Sequence, residues 1–112
     1  MRRDGAVLLR RRPPKGLLGG MLEVPSTAWE AAMPDLDTAL GAAPLAAPWR
    51  PLPGVVRHSF THFDLDLAVY HAGSLPLTAH AKHGTWYPRA RLADEAIPSV
   101  MRKVLQRGLD DD

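Results

Sequence analysis

Hydrogen-bonding and aromatic side chains are densest at His58-Ser59-Phe60-Thr61-His62-Phe63, with Arg57 just ahead of them. Two histidines four apart can hold a metal from one face of a helix, but the alternation downstream argues for a strand or loop, where no third ligand is at hand. The mixture suits a nucleic-acid reader better: a ring stacks or wedges against a base, a hydroxyl exchanges hydrogen bonds with a base edge, and Arg or His meets phosphate. The plainer reading buries Phe60 or Phe63 in the core and leaves the histidines at the surface.

The acids make a weak metal cage. Hydrolysis of a diphosphate needs several carboxylates converging on a hard cation such as magnesium. Glu23 and Glu30 are the only glutamates ahead of the proline-rich stretch, and they form no adjacent pair. Asp64 and Asp66 share one strand face, which reads more simply as the solvent side. No metal site and no catalytic residue is expected. The glycine-punctuated Lys15-Gly16-Leu17-Leu18-Gly19-Gly20 lacks both the Gly-Lys-Ser/Thr ending of a Walker loop and the Gly-x-Gly-x-x-Gly of a dinucleotide turn, so it reads as a tight connector.

The elements that must carry these residues follow from pattern. Gly5–Arg10 reads as a strand ending at Pro13-Pro14, and Met21–Val24 as a short apolar stretch closed by Pro25. Asp35 is placed to cap a helix whose apolar residues Leu36, Ala39, Leu40 and Ala43 share a face. Pro44–Pro53 holds four prolines and reads as an exposed connector. Phe63, Leu65, Leu67 and Val69 alternate with Asp64, Asp66, Ala68 and Tyr70, the period of a strand with one buried face, turning at Ala72-Gly73-Ser74. Gly84–Pro88 reads as another strand. From Ala93 the chain is expected to be helical, with Pro98 in the first turn, Ile97, Val100, Met101, Val104 and Leu105 at helical spacing, and Gly108 ending the helix. The whole is an α+β domain with a mixed or antiparallel sheet over residues 1–109, followed by a disordered acidic tail at 110–112.

Composition narrows the function classes. The chain has 112 residues, 46% hydrophobic and 23% charged, which fits one folded domain and excludes wholesale disorder or a coiled coil. Apolar runs such as Ala6–Leu9 fall far short of the roughly 20 residues that cross a bilayer, and no signal-peptide core is visible, so no membrane association is expected. Without cysteine there is no disulfide, thiolate zinc site, iron–sulfur cluster or Cys nucleophile. The net charge of +2 is uneven: Arg2, Arg3, Arg10, Arg11, Arg12 and Lys15 face only Asp4 in the first fifteen residues, while Asp110 to Asp112 close the chain. Such a basic segment points to a polyanion, or equally to a solvated charged face.

Three segments together resemble the C-terminal domain of the MutY family of adenine DNA glycosylases. They are Arg12-Pro-Pro-Lys-Gly-Leu-Leu-Gly-Gly-Met-Leu-Glu-Val-Pro25, His58-Ser-Phe-Thr-His-Phe-Asp-Leu65 and Ala96-Ile-Pro-Ser-Val-Met-Arg-Lys-Val-Leu105, in that order and spanning nearly the whole chain. The resemblance implies a Nudix-like fold, a mixed β-sheet flanked by α-helices, that reads 8-oxoguanine opposite adenine. The family's Phe-Ser-His loop falls on Phe60, Thr61 and His62, with Thr61 retaining the hydroxyl but adding a methyl that restricts its rotamers. Phe60 would pack or wedge near the base, Thr61 read its edge, and His62 hydrogen-bond or meet phosphate. Arg12, Lys15, Arg57 and His58 would contact DNA phosphate.

The resemblance also implies partners and absences. Double-stranded DNA containing 8-oxoguanine:adenine and an N-terminal catalytic glycosylase domain are the expected partners of a monomeric module in the bacterial cytoplasm, associated with the nucleoid. A working Nudix hydrolase carries Arg-Glu-x-x-Glu-Glu after its Gly-Gly turn, whereas here the stretch is Ser26-Thr-Ala-Trp-Glu-Ala-Ala-Met-Pro34. The helix-hairpin-helix catalytic domain and its iron–sulfur cluster are expected elsewhere, leaving no cofactor in this chain, which would be inactive alone. The alternatives are a stand-alone Nudix-type hydrolase of oxidised nucleotides with Glu23 as a surviving metal ligand, and a structural or protein-interaction domain.

Overall fold

The computed structural model describes residues 2–73, 75–81 and 83–110. Strand β1 (Val7–Arg11) is central to a three-stranded antiparallel sheet, flanked by β2 (Leu22–Glu23) and β7 (Thr85–Tyr87). Leu8 and Leu9, at the heart of β1, are buried. Gly84 lets β7 close on this strand: its φ is +103°, and a Cβ there would stand 2.8 Å from the Leu9 carbonyl oxygen. The connector between β1 and β2 closes as the tight loop expected of its glycines, with Arg12 N–H donating to Met21 O at 2.9 Å. At Gly19 a Cβ would collide with the Pro14 carbonyl, so the turn admits no side chain there.

Two antiparallel pairs complete the strands: β3 (Arg50–Pro51) with β6 (Tyr70–His71), and β4 (Val56–Ser59) with β5 (Asp64–Leu67). One isolated bridge, between Arg2 and Leu75, is parallel, so both senses of pairing occur among the described residues of this α+β domain. Helix α1 (Leu36–Gly41) begins where Asp35 was expected to cap it, the carboxylate accepting from Thr38 N–H at 2.8 Å. A 3-10 turn (Arg89–Asp94) precedes α2 (Ser99–Asp110).

Helix α2 builds the core. Val100, Met101, Val104 and Leu105 pack with Leu9, Leu22, Leu52, Leu65, Val69, Leu92 and Ile97. Its cations tie it outward: Arg102 donates to the carbonyls of Leu92 at 3.3 Å and Glu95 at 3.0 Å, Lys103 to the carbonyl of Arg57 in β4 at 3.2 Å, and Arg107 to the carbonyl of Pro53 at 3.4 Å. Met101-Arg102-Lys103 thus fills the core, holds the 3-10 turn and anchors the β4–β5 hairpin in three successive residues.

Several expectations are corrected. The proline-rich segment is not simply an exposed connector, because Arg50–Pro51 pairs with β6 and Leu52 is buried, its N–H donating to Val69 O at 2.8 Å. The strand expected over 63–70 is two strands, broken at Ala68 and Val69. Phe63 leaves the core face and is 44% exposed, since its carbonyl closes the preceding turn by accepting from Phe60 N–H at 2.8 Å. Residues 95–98 are not helical, and α2 starts after Pro98, whose carbonyl accepts from Arg102 N–H at 3.0 Å. Gly108 sits inside that helix, where hydrogen bonding outweighs its cost of about 1 kcal/mol relative to Ala. The shared apolar face of α1 meets no core, and Leu36 and Leu40 are exposed. Asp110 belongs to α2 and accepts from Gln106 at 2.6 Å, while the tail residues 111–112 and Ser74 of the expected turn lie outside the described residues.

Candidate nucleic-acid interface

Phe60-Thr61-His62-Phe63 forms the tip of the β4–β5 hairpin. The register runs Val56↔Leu67, Arg57↔Asp66, His58↔Leu65 and Ser59↔Asp64, so these four residues alone make the turn. Thr61 and His62 are exposed at its apex, whereas Phe60 is half-buried. The Phe60 ring stacks on Phe63 with centroids 4.8 Å apart, takes the His58 ring edge-on at 4.8 Å and meets Trp29 at 6.1 Å. Aromatic contacts of these geometries give the tip an apolar base beside the exposed Thr61 and His62.

The residues flanking the tip are held by the fold. Arg57 grips Asp66 across the hairpin in a two-pronged ion pair, Nε to Oδ1 at 2.7 Å and Nη2 to Oδ2 at 3.0 Å. The Arg57 hydrogen bonds hold the Asp66 carboxyl below the usual carboxylate range and raise the guanidinium in turn. Lys103 Nζ lies 3.0 Å from His58 Nδ1.

Arg12 is turned inward. Its Nη1 donates to Glu23 Oε1 at 2.8 Å and its Nε to Leu17 O at 3.1 Å, and its guanidinium carbon lies 4.2 Å from the Trp29 ring centre. Arg10 takes the other Glu23 oxygen at 2.9 Å and reaches Ser26 O at 2.8 Å. Of the four residues expected at phosphate, the structure therefore commits Arg12 to internal partners, pairs Arg57 and His58 within reach of the tip, and leaves Lys15 exposed on the loop between β1 and β2. Trp29 was not anticipated as part of this region. Its only sequence signal was an aromatic residue in the stretch where a Nudix hydrolase has its acidic helix.

That stretch does not fit a magnesium site. Residues 24–35 carry no helix or strand, Glu30 is exposed, and Glu23 is buried with both oxygens bound to guanidiniums. A cation would have to displace two arginines to reach it. A cavity of about 440 Å³ lies between residues 24–45 and the sheet, lined by Trp29, Leu40, Trp49 and Leu65 among others. Phe60, Thr61 and His62 do not line it.

A family model described as the NUDIX domain matches residues 1–107. The chain is 32% identical over 109 residues to the human adenine DNA glycosylase, a match that covers 89% of this chain and 20% of the relative, so it spans about a fifth of that protein's length. Its structure is similar to the mouse MUTYH C-terminal domain solved in complex with human PCNA, with a TM-score of 0.69 and 29% identity over 95% of this chain and 76% of the other. The fold is accordingly Nudix-like, and the chain resembles the C-terminal domain of an adenine DNA glycosylase. With the match running from the first residue almost to the last, the chain belongs to the NUDIX domain family.

Proposed function

We propose that this chain is the lesion-reading module of an adenine DNA glycosylase in base-excision repair, and that its β4–β5 hairpin tip probes 8-oxoguanine opposite adenine. The observation that carries the reading is the placement of Phe60, Thr61 and His62: an exposed hydroxyl and imidazole on a turn backed by packed rings. Guanine presents an acceptor at N7 in the major groove. The 8-oxo form carries a hydrogen there and a carbonyl beside it, so donor and acceptor roles are inverted. A Thr61 hydroxyl and turn backbone groups matched to the oxidised edge would face mismatched atoms on guanine, a difference of about 1–3 kcal/mol. Phe60 wedges or packs beside the base, His62 hydrogen-bonds it or its phosphate, and Lys15, Arg57 and His58 face the backbone. Duplex DNA and an N-terminal catalytic domain that extracts adenine are the partners, with the module a monomer.

Thr61→Ala in the complete enzyme should lower the ratio of excision rates on 8-oxoguanine:adenine over guanine:adenine duplexes by about thirtyfold, the factor that the middle of that energy range makes. An unchanged ratio would remove Thr61 from the edge-reading role. Hydrolysis of an oxidised nucleoside triphosphate dependent on magnesium would instead favour the hydrolase reading, against which the buried Glu23 carboxylate, held by Arg10 and Arg12, stands.

A further inference from the structure

Trp29 reaches the recognition hairpin from a segment with no regular structure of its own. Nothing in the backbone of residues 24–35 sets the height or tilt of its ring, so side chains must. Arg10 tethers the segment at Ser26, and the Arg12 guanidinium lies over the indole at 4.2 Å. The indole Nε1 is buried with no hydrogen-bond partner. The Arg12 guanidinium thus packs over the indole ring, and the Trp29 and Phe60 rings meet at a tilt of 38°. Arg12 in turn is locked by Glu23 at 2.8 Å and by the Leu17 carbonyl at 3.1 Å. On the hairpin side, Trp29 meets Phe60, whose N–H to Phe63 O is the cross-turn hydrogen bond of the tip.

We infer that Arg12 and Trp29 are positioning residues for the recognition tip: the guanidinium–indole pair sets the orientation of Phe60, and through it the approach of Thr61 and His62 to a base. The inference rests on the lesion-reading function proposed above. It gives the most conspicuous cation of the β1–β2 loop a role distinct from phosphate binding. A phosphate contact needs only charge, which lysine supplies. A stacked, forked guanidinium needs the planar group, which lysine lacks.

The test uses this 112-residue chain, its Arg12→Lys, Trp29→Phe and Trp29→Ala variants, and two duplexes that differ only in 8-oxoguanine or guanine opposite adenine. Affinities come from fluorescence anisotropy at several salt concentrations, and order at the Thr61 and His62 amides from NMR relaxation. Unchanged amide shifts over Val100–Leu105 certify an intact core, and if Trp29→Ala fails that check, Arg12→Lys decides alone. Trp29→Ala and Arg12→Lys should cut the affinity ratio between the duplexes about fivefold, the factor that about 1 kcal/mol makes, and loosen both amides. Trp29→Phe, which keeps a ring, should retain the ratio and the order. Arg12→Lys that keeps ratio, salt slope and amide order overturns the inference and returns Arg12 to a charge-only role. Equal binding of both duplexes by the parent would overturn the lesion-reading function instead. In that case the amides decide: loosening in Trp29→Ala with rescue in Trp29→Phe upholds the positioning pair, and identical relaxation in all variants sinks it.

Discussion

Glu23 is a buried carboxylate whose two oxygens are each taken by a different arginine, Arg10 and Arg12. Removing such an acid leaves two guanidiniums facing a low-dielectric gap, which costs more than the pair's net attraction ever contributed. Arg10 keeps 37% of its side chain in water, so the cost belongs at the lower end of the range for buried pairs. Glu23→Ala should destabilise the chain by about 3 kcal/mol, read as a lower urea midpoint at constant slope, and Glu23→Gln by less because its amide oxygen still accepts from one arginine. An unshifted midpoint in Glu23→Ala would mean that the cluster orders the loop without stabilising the fold. The residue types at the tip were legible from the chain alone, since Phe60-Thr61-His62 stands inside a short contiguous motif. The partners of Arg12 were not: one guanidinium among five in the N-terminal segment shows no sign in the sequence of facing inward, and Trp29 meets Phe60 only after the segment folds across.

At the scale of the element, the β4–β5 hairpin is set by its register, and the Arg57–Asp66 fork lies at one rung of that ladder. The Asp66 carboxyl is held below its ordinary value by Arg57, so the ion pair contributes above the unfolded carboxylate pKa near about 3.9 and is lost as pH falls through the folded value. Asp35 is lowered in the same direction by the Thr38 backbone N–H, which gives α1 a parallel sensitivity. Amide protection over Val56–Leu67 should therefore decline as the pH drops below about 4, and Asp66→Asn should remove the hairpin's share of that decline while leaving the response at α1. Both groups are exposed, so the effect is small. Identical hairpin protection in parent and variant at every pH would show that backbone and ring packing alone keep the register. Elements specified by neighbouring residues were readable: the Asp35 cap, the β1 run and the buried stripe of α2. The pairing of Pro51 with Tyr70, the break at Ala68 and Val69 and the late start of α2 depend on where distant strands and the 3-10 turn meet the chain, which period and propensity do not encode.

For the molecule as a whole, α2 packs through one core against Leu9 of β1, Leu22 of β2, Leu65 of β5 and the residues Leu52 and Val69 that adjoin β3 and β6, and Met101 is fully buried in that core. Met101→Ala should cost about 2–5 kcal/mol and lower the urea midpoint more than a change at exposed Leu36 or Leu77; equal effects would mean that the core does not unite the sheets. The charge layout changes meaning at this scale. The basic excess of the N-terminal segment looks like a polyanion footprint, yet the fold turns Arg10 and Arg12 onto Glu23, and sets Arg2 on Asp4 and 5.1 Å from the Trp86 ring. The sequence by itself determined the α+β class, the alternating strand, the amphipathic final helix and the identity of the tip residues, because hydrophobic period and contiguous motifs are local quantities. Only the tertiary structure decided which ring of the tip packs inward, which arginines remain available to a ligand and how residues 24–35 back the hairpin. These rest on contacts between segments far apart in sequence, where burial and the pairing of charges are settled by the whole core and not by neighbours along the chain.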